Sequence, residues 1–430
     1  MNKYYLNNSQ KQIWNNEITF KDSSINVISL NIHIDIDDIS KVEAAVNKVM
    51  NNADVFKCKI ISADKNIYFE TTDDLINNCF VFDVMTTQEI KNYCSNLASI
   101  PFEKEELYHI SIIPEKTGGV TVFCKFHHVI IDGCSMTLFA QYLLDTLEGK
   151  EIPKSNFFTE KDSENEVTDD SIYEEFWNNY FKDTDSRCEI YPETNEGIGK
   201  FELTKEIPAS LNQSILNYCE TRNLKPAYIY MAAYAIYLSR ATQKKEVVIS
   251  MSRLGREKEE FPKLGCYVVI IPVLIKIKKD DTLESIYYKL IKSADSSNKN
   301  RKYGFNNILR LCKNNNIDSN SLTAYVYSYF SHKITSKFNF NVELYSSSMY
   351  NNLTLGIVRK NTETFMQMDL HKEIYDVERG NDFIDSIETI LEQAVTDKPV
   401  SNIDIISDKS NFTPEESIVF VEEDIDKFNN

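Results

Sequence analysis

Two adjacent histidines, His127 and His128, are the residues whose type and surroundings best suit a chemical role. They lie in the stretch FCKFHHVIIDGCSM, where three β-branched residues follow them before Asp132 and Gly133 interrupt the apolar pattern. A neutral imidazole titrates near physiological pH and can take a proton from an amine or alcohol that attacks a carbonyl group. The stretch is therefore either a core strand with satisfied interior histidines or a strand that delivers a general base.

The residues before this pair alternate in character as a β-strand does, so successive side chains fall on opposite faces. The face that includes His128 also carries Val120, Val122, Cys124 and Phe126. We therefore expect His128 to point inward and His127 to lie on the other face. Gly133 ends the pattern, and the following SMTLFAQYLLDTLEG predicts an amphipathic helix with Ser135 as its N-cap. The histidines thus belong to a strand-to-helix junction.

Asp132 follows His128 by four residues, and it could orient the imidazole ring only if the residues between them were helical. Three β-branched residues followed by glycine argue against a helix in that position. We therefore expect Asp132 to have a structural, ion-pairing role instead.

The composition predicts a globular protein of two or three domains, with 430 residues of which 42% are hydrophobic. A formal net charge of −18 argues against nucleic-acid binding, which requires a concentrated basic surface. The nine cysteines are scattered and never in C-x-x-C spacing, which suggests neither a disulfide framework nor a zinc site. No signal peptide and no apolar run of about 18 residues is found, so we expect a cytoplasmic protein without membrane contact.

Strand-like and helix-like patterns alternate along the whole chain. Residues 25–37 alternate like a half-buried strand, and 40–52 then carry apolar residues at helical spacing. The segment 153–171 is acidic and rich in serine and threonine, which predicts an exposed linker. We therefore place a domain boundary there, between an N-terminal lobe, 1–165, and a C-terminal lobe, 172–430.

The stretch HHVIIDG resembles the His-His-x-x-x-Asp-Gly motif of condensation domains of nonribosomal peptide synthetases, within the chloramphenicol-acetyltransferase-like superfamily. Two further stretches match in the right order. LNNSQKQIW resembles the opening motif of the family through Leu6, Gln10 and Trp14. The segment 253–277 resembles a later motif through Gly255, Arg256, Gly265, Tyr267, Val268 and Pro272. The resemblance covers nearly the whole chain.

The sequence departs from the family pattern at three places. Phe56 stands where an arginine is common, which leaves the cationic partner of the motif aspartate open; Lys57, Lys59 or another base could replace it. Val269 stands in place of an asparagine, and Cys134 in place of the tryptophan that follows the motif glycine. Both histidines, the aspartate and the glycine are retained.

The resemblance implies an α/β fold, an α+β sandwich of two acetyltransferase-like lobes in a V-shaped pseudo-dimer with a tunnel between them. Family members join two thioester-bound acyl groups into an amide. Their substrates arrive on the phosphopantetheine arms of donor and acceptor carrier proteins, and the domain itself binds no cofactor. The resemblance also implies a monomer or a part of a multidomain synthetase, with residues 411–430 resembling a linker into an adenylation domain.

Residue roles follow from the motif by position. His128 is expected to act as general base or to position the amine, and the Gly133 N–H to help stabilise an oxyanion. His127 and Asp132 are expected to be structural, and Arg256 is a candidate for lining the tunnel. The other histidines, which suggest no metal site, are His33, His109, His332 and His371.

Three functions stay open at this point. The first is amide formation by a synthetase condensation domain. The second is a starter-type or free-standing N-acyltransferase that uses an acyl-carrier or acyl-coenzyme A thioester. The third is a catalytically silent domain that recruits carrier proteins. The intact histidine pair argues against the third function, whereas Phe56 and Val269 argue for it.

Overall fold

The structure is a computed structural model. It describes residues 2–405 except 64, 65, 78, 104, 105, 161–170, 183, 185–189, 191–196, 316, 318 and 361. The linker proposed at 411–430 lies outside the described residues. In the described part, no helix is both long enough and apolar enough to cross a bilayer.

The chain forms two compact units. The first unit comprises Met1–Asp169, Leu254–Val269 and Ile334–Ser348. The second comprises Asp170–Arg253, Ile270–Lys333 and Met349–Asn430.

The first unit is built on a five-stranded sheet in the order β12-β2-β7-β6-β5. These strands are β2 (Val27–Ile34), β5 (Phe80–Val81), β6 (Tyr108–Pro114), β7 (Val120–His127) and β12 (Phe340–Ser346). Its helices are α1 (Asn8–Thr19), α2 (Ile39–Asn51), α3 (Thr87–Ser99) and α4 (Gly133–Leu147). A smaller sheet in the order β1-β4-β3 is formed by β1 (Lys3–Tyr5), β3 (Cys58–Ala63) and β4 (Asn66–Thr71).

Strand β7 lies in the middle of this sheet and runs antiparallel to both neighbours, β2 and β6. All eight of its residues are buried, because helices cover both faces of the sheet. The cluster on one face includes apolar residues of α2 and α4, whereas the smaller cluster on the other face includes residues of α3. The strand that ends at the histidine pair is therefore held on all sides.

The second unit is built on a six-stranded sheet in the order β10-β9-β11-β13-β14-β8. These strands are β8 (Lys200–Glu206), β9 (Glu246–Leu254), β10 (Val268–Lys276), β11 (Tyr325–His332), β13 (Leu353–Lys360) and β14 (Glu363–His371). Its helices are α5 (Ser171–Tyr180), α6 (Ala209–Arg222), α7 (Pro226–Thr242), α8 (Leu283–Lys299), α9 (Phe305–Asn314), α10 (Asn320–Ala324) and α11 (Val377–Ala394). A large apolar cluster joins this sheet to α6, α7, α8 and α11.

The structure differs from the prediction of two contiguous lobes, 1–165 and 172–430, at two later segments. Residues 334–348 belong to the first unit because β12 pairs antiparallel with β2 along seven positions, from Phe340↔Ile34 to Ser346↔Ile28. Residues 254–269 belong to it as well. The pairing of β12 with β2 joins residues about 300 positions apart in sequence, and the local patterns carry no signal for it.

The exposed linker predicted at 153–171 is wrong for two residues near its start, whereas residues 153, 154, 156, 159 and 160 are exposed as predicted. Ser155 and Phe157 are buried. The Ser155 hydroxyl accepts a hydrogen bond from the Leu264 N–H, and the Asp54 carboxylate accepts bonds from the N–H groups of Phe157 and Phe158. This segment is therefore part of the first unit. Residues 161–170 lie outside the described residues.

Candidate active site

The histidine pair occupies a short junction between β7 and α4. The strand ends at His127, which lies opposite Val27 of β2, and the helix begins at Gly133. His128 therefore follows the strand rather than continuing it. Its backbone N–H still donates to the Asn26 carbonyl, over 2.8 Å, so the junction stays attached to the residue that precedes β2.

The ring of His128 is oriented by the turn itself. Its Nδ1 lies 2.9 Å from the Ile131 carbonyl oxygen, which can only accept, so Nδ1 carries the proton. In the neutral ring Nε2 is then the unprotonated nitrogen, and no described residue occupies it with a hydrogen bond. His128 is half-buried, and burial lowers its pKa below the ordinary value. The ring is therefore held neutral, with a basic nitrogen directed away from its own turn.

His127 is enclosed by protein, with 5% of its surface exposed. Its Nδ1 accepts a hydrogen bond from the Val129 N–H over 3.1 Å, and its Nε2 lies 3.4 Å from Oε2 of Glu17. The rings of Trp14 and Phe102 pack around it. Both ring nitrogens thus have protein partners, an arrangement that suits a structural histidine better than a base.

Asp132 caps α4, and the prediction that Ser135 is the N-cap is wrong. The Asp132 Oδ1 accepts from the Ser135 N–H over 2.8 Å, as N-cap side chains do. Its Oδ2 accepts from the Tyr267 N–H over 2.9 Å, and its own N–H donates to the Gly265 carbonyl. Asp132 therefore joins the start of α4 to the segment that precedes β10.

Arg256 is the cationic partner of Asp132. The guanidinium Nη2 lies 3.1 Å from Oδ1 of Asp132 and also donates to the Ser135 hydroxyl. Its Nη1 donates to the carbonyls of Glu260 and Lys263. The guanidinium stacks over the Tyr267 ring at 4.3 Å.

The prediction that Arg256 lines a tunnel is wrong for this side chain, which is 0% exposed. Burial of a charged pair costs free energy that good geometry must offset. Here both Nη atoms of Arg256 make further hydrogen bonds, whereas its buried Nε has no partner among the described residues. Phe56, which stands where an arginine is common in the family, is fully buried against Tyr108, Phe126 and Phe139. The partner of Asp132 is thus Arg256 rather than Lys57 or Lys59.

Gly133 is the first residue of α4, so its N–H belongs to the helix end that lacks intrahelical acceptors. Such amides, together with the helix dipole, favour negative charge. Cys134 is the next residue and is half-buried; burial raises the pKa of its thiol. A protonated thiol is a weak nucleophile, so Cys134 does not suggest thiolate chemistry.

The opening motif of the sequence is brought to the same junction. The buried Gln10 forms a capping box with Asn7 at the start of α1, and its Nε2 donates to the Val129 carbonyl over 2.9 Å. Glu17, from the same helix, contacts His127, and the Asn26 carbonyl accepts from the His128 N–H. The sequence interpretation missed both residues. No pattern in the chain singles them out, because each is a common residue type outside the matched motifs.

The remaining histidines lie apart from this junction. His33 binds Glu115, His109 contacts Ser111, and His371 is buried beside Gly197. The side chain of His332 lies outside the described residues. Within the described ranges, no three histidine, cysteine, aspartate or glutamate side chains come together as a metal site.

Comparisons with known proteins show which family the chain belongs to. A family model described as "Condensation domain" matches residues 1–412. The chain belongs to the condensation-domain family. Condensation domains are acyltransferases that form amide bonds between thioester-bound groups, so the predicted family and enzyme class are confirmed.

One of the subunits of plipastatin synthase from Bacillus subtilis (strain 168) is 21% identical over 91% of this chain, and the match covers 16% of that protein. The starter condensation domain of rhizomide synthetase RzmA, solved in complex with C8-CoA and Leu-SNAC, superposes with a TM-score of 0.79. It is 15% identical over 94% of this chain and 97% of that domain. The condensation domain of the monacolin K polyketide synthase MokA superposes with a TM-score of 0.81 at 12% identity, over 93% of this chain and 99% of that one.

These likenesses confirm the predicted α/β, acetyltransferase-like fold. The V-shaped arrangement of the lobes and the tunnel between them stay predictions. The chain spans about a sixth of the length of its plipastatin synthase relative.

Proposed function

We propose that this chain forms an amide bond between a donor acyl or peptidyl thioester and the amine of an acceptor aminoacyl thioester. The observation that carries the proposal is the orientation of His128. Its Nδ1–H is bound by the Ile131 carbonyl, which leaves Nε2 as an unprotonated acceptor in a half-buried position. This is the protonation state that a general base needs.

The attacking amine must lose a proton, and the base must accept it. An α-amino group has a pKa of about 8 and is mostly ammonium at neutral pH, so a proton must leave before or during attack. Nε2 of His128 takes that proton as the nitrogen bonds to the thioester carbon. The Gly133 N–H stabilises the oxyanion. Collapse of the intermediate then breaks the C–S bond, and the proton passes to the departing thiolate.

Carrier proteins are the proposed partners, with both substrates on phosphopantetheine arms and no cofactor bound by the domain itself. We place the reaction in the cytoplasm, either in a free-standing monomer or in one domain of a larger synthetase. The likeness to a starter condensation domain favours a second candidate, transfer of a fatty acyl group to the first amino acid of a product. Both candidates use the same base.

The test is mass-spectrometric detection of amide product from a panel of acyl and aminoacyl pantetheine thioesters. The native chain is compared with His128→Ala and with the control His33→Ala, which removes a partly exposed histidine bound to Glu115. Amide that forms with the native chain and the control but not with His128→Ala supports the proposal. Binding of carrier proteins without turnover by any of the three would identify a silent recruitment domain. The preferred donor in the panel separates the first two candidates.

A further inference from the structure

Three backbone groups around His128 are held in hydrogen bonds. The N–H of His128 donates to the Asn26 carbonyl, and the N–H of Val129 donates to Nδ1 of His127. The Val129 carbonyl accepts from Gln10. The position of the His128 ring therefore depends on where Asn26 and His127 are held.

The bond from the Val129 N–H to Nδ1 of His127 can form with only one neutral tautomer of His127. A ring nitrogen can accept an N–H only if it carries no proton, so Nδ1 of His127 must be bare and Nε2 must be protonated. Nε2 lies 3.4 Å from Oε2 of Glu17, and a carboxylate at that distance stabilises a proton on Nε2. Glu17 thus selects the tautomer that allows the Val129 bond.

The same oxygen of Glu17 also fixes Asn26. The Asn26 amide donates to Oε2 of Glu17 over 2.7 Å and to the Ile13 carbonyl over 3.1 Å, so it is bound twice to α1. Burial alone would raise the pKa of Glu17, but the hydrogen bonds from His127 and Asn26 outweigh it and lower that pKa. Glu17 is therefore an anion at neutral pH, as both contacts require.

We propose that Glu17 is a positioning residue for the condensation reaction: its carboxylate fixes the His127 tautomer and the Asn26 amide, and through them the place of the His128 ring. It acts through other residues and touches no reacting atom. This inference rests on the proposed function of His128.

The test compares Glu17→Ala with Glu17→Gln, which keeps an acceptor oxygen, and with Lys11→Ala, an exposed control on the same helix. Long-range ¹H–¹⁵N spectra of the histidine-labelled chain report which ring nitrogen is protonated. We expect Nε2–H for His127 in the native chain and in Lys11→Ala, and a mixture of tautomers in Glu17→Ala. Single-turnover amide formation should fall about tenfold in Glu17→Ala, since small misplacement of a catalytic group is costly, and recover to within about threefold in Glu17→Gln.

Two results would overturn the inference. One is a native His127 with its proton on Nδ1. The other is a Glu17→Ala variant that keeps the native tautomer, whatever its rate. The spectra need no substrate, so they decide the role of Glu17 even if no thioester pair gives amide. A native chain with the expected tautomer and no turnover would overturn the proposed function and leave the positioning network standing.

Discussion

Two strand-to-helix junctions in the described part of the chain, one in each unit, share the same local design. In the first, β7 ends at His127 and Asp132 caps α4; in the second, β14 ends at His371 and Asp376 caps α11. The spacing from histidine to aspartate is the same in HHVIID and HKEIYD. In both, Nδ1 of the strand-ending histidine accepts an N–H from two residues later, Val129 or Glu373.

We call the strand-ending histidine and the capping aspartate the frame of each junction. The two junctions differ in the residue that follows this histidine and in the surroundings of the aspartate. The residue after the strand-ending histidine is His128 in the first and an exposed Lys372 in the second. The capping aspartate is buried against Arg256 in the first, whereas Asp376 is exposed. The same frame, including its histidine, recurs in the second unit without a second histidine after it, which supports the proposal that His127 is structural. In the proposed function, the chemistry comes from the further imidazole of His128 in the junction that Asp132 and Arg256 hold.

The largest expected effect comes from removing that imidazole. We expect His128→Ala to lower the single-turnover rate of amide formation by about 10²- to 10⁴-fold, the usual range for a lost general base. His371→Ala should keep the native rate per folded molecule, because the described hydrogen bonds of its ring are with backbone groups of its own unit. Equal losses in the two variants would contradict the division between base and frame.

The next effect concerns stability at the two caps. Asp132→Ala leaves the fully buried Arg256 without its carboxylate, so we expect the free energy of unfolding in urea to fall by about 3–5 kcal/mol. An Arg256→Met variant removes the cation of the same pair and is measured in the same urea experiment. A cost below about 1 kcal/mol for either variant would mean that the pair does not hold the junction.

Asp376→Ala is the matched variant in the second unit. It removes one bond, from the Arg379 N–H to an exposed carboxylate, so we expect a loss of about 1 kcal/mol in the same urea experiment. If Asp376→Ala lowered the free energy of unfolding as much as Asp132→Ala does, the two caps would be energetically equal, contrary to this prediction.

The smallest effect is a pH dependence of stability. Burial lowers the pKa of His371, so the unfolded chain binds this proton more tightly than the folded chain does. The contribution of neutral His371 to the free energy of unfolding is fully present above the pKa of an unfolded histidine, about 6.5. It is lost as the pH falls toward the lower pKa that His371 has in the folded chain. We expect His371→Asn to weaken the loss of stability as the pH falls below about 6.5, as measured by thermal unfolding. An unchanged slope would show that His371 does not contribute to it.

The sequence predicted the family and the elements around the histidine pair, because these depend on local periodicity and on contiguous motifs. The role of His128 as the base stays a prediction. It did not predict the partner of Asp132, since Arg256 is 124 residues away and the pairing is set by how the segment before β10 folds back. The N-cap was misplaced by three residues because aspartate and serine both cap helices well. Glu17 and Asn26 were missed because their role arises only from three-dimensional contact.

The central claim is that His128 presents a neutral ring with a bare Nε2 to the substrates. A pH titration of His128 by ¹⁵N spectroscopy tests it directly, alongside the pH profile of single-turnover amide formation. The account predicts a proton on Nδ1 at neutral pH, titration below the ordinary histidine value of about 6.5, and an acid limb of the rate at the same pH. A proton on Nε2 at neutral pH, or an acid limb unrelated to this titration, would contradict it.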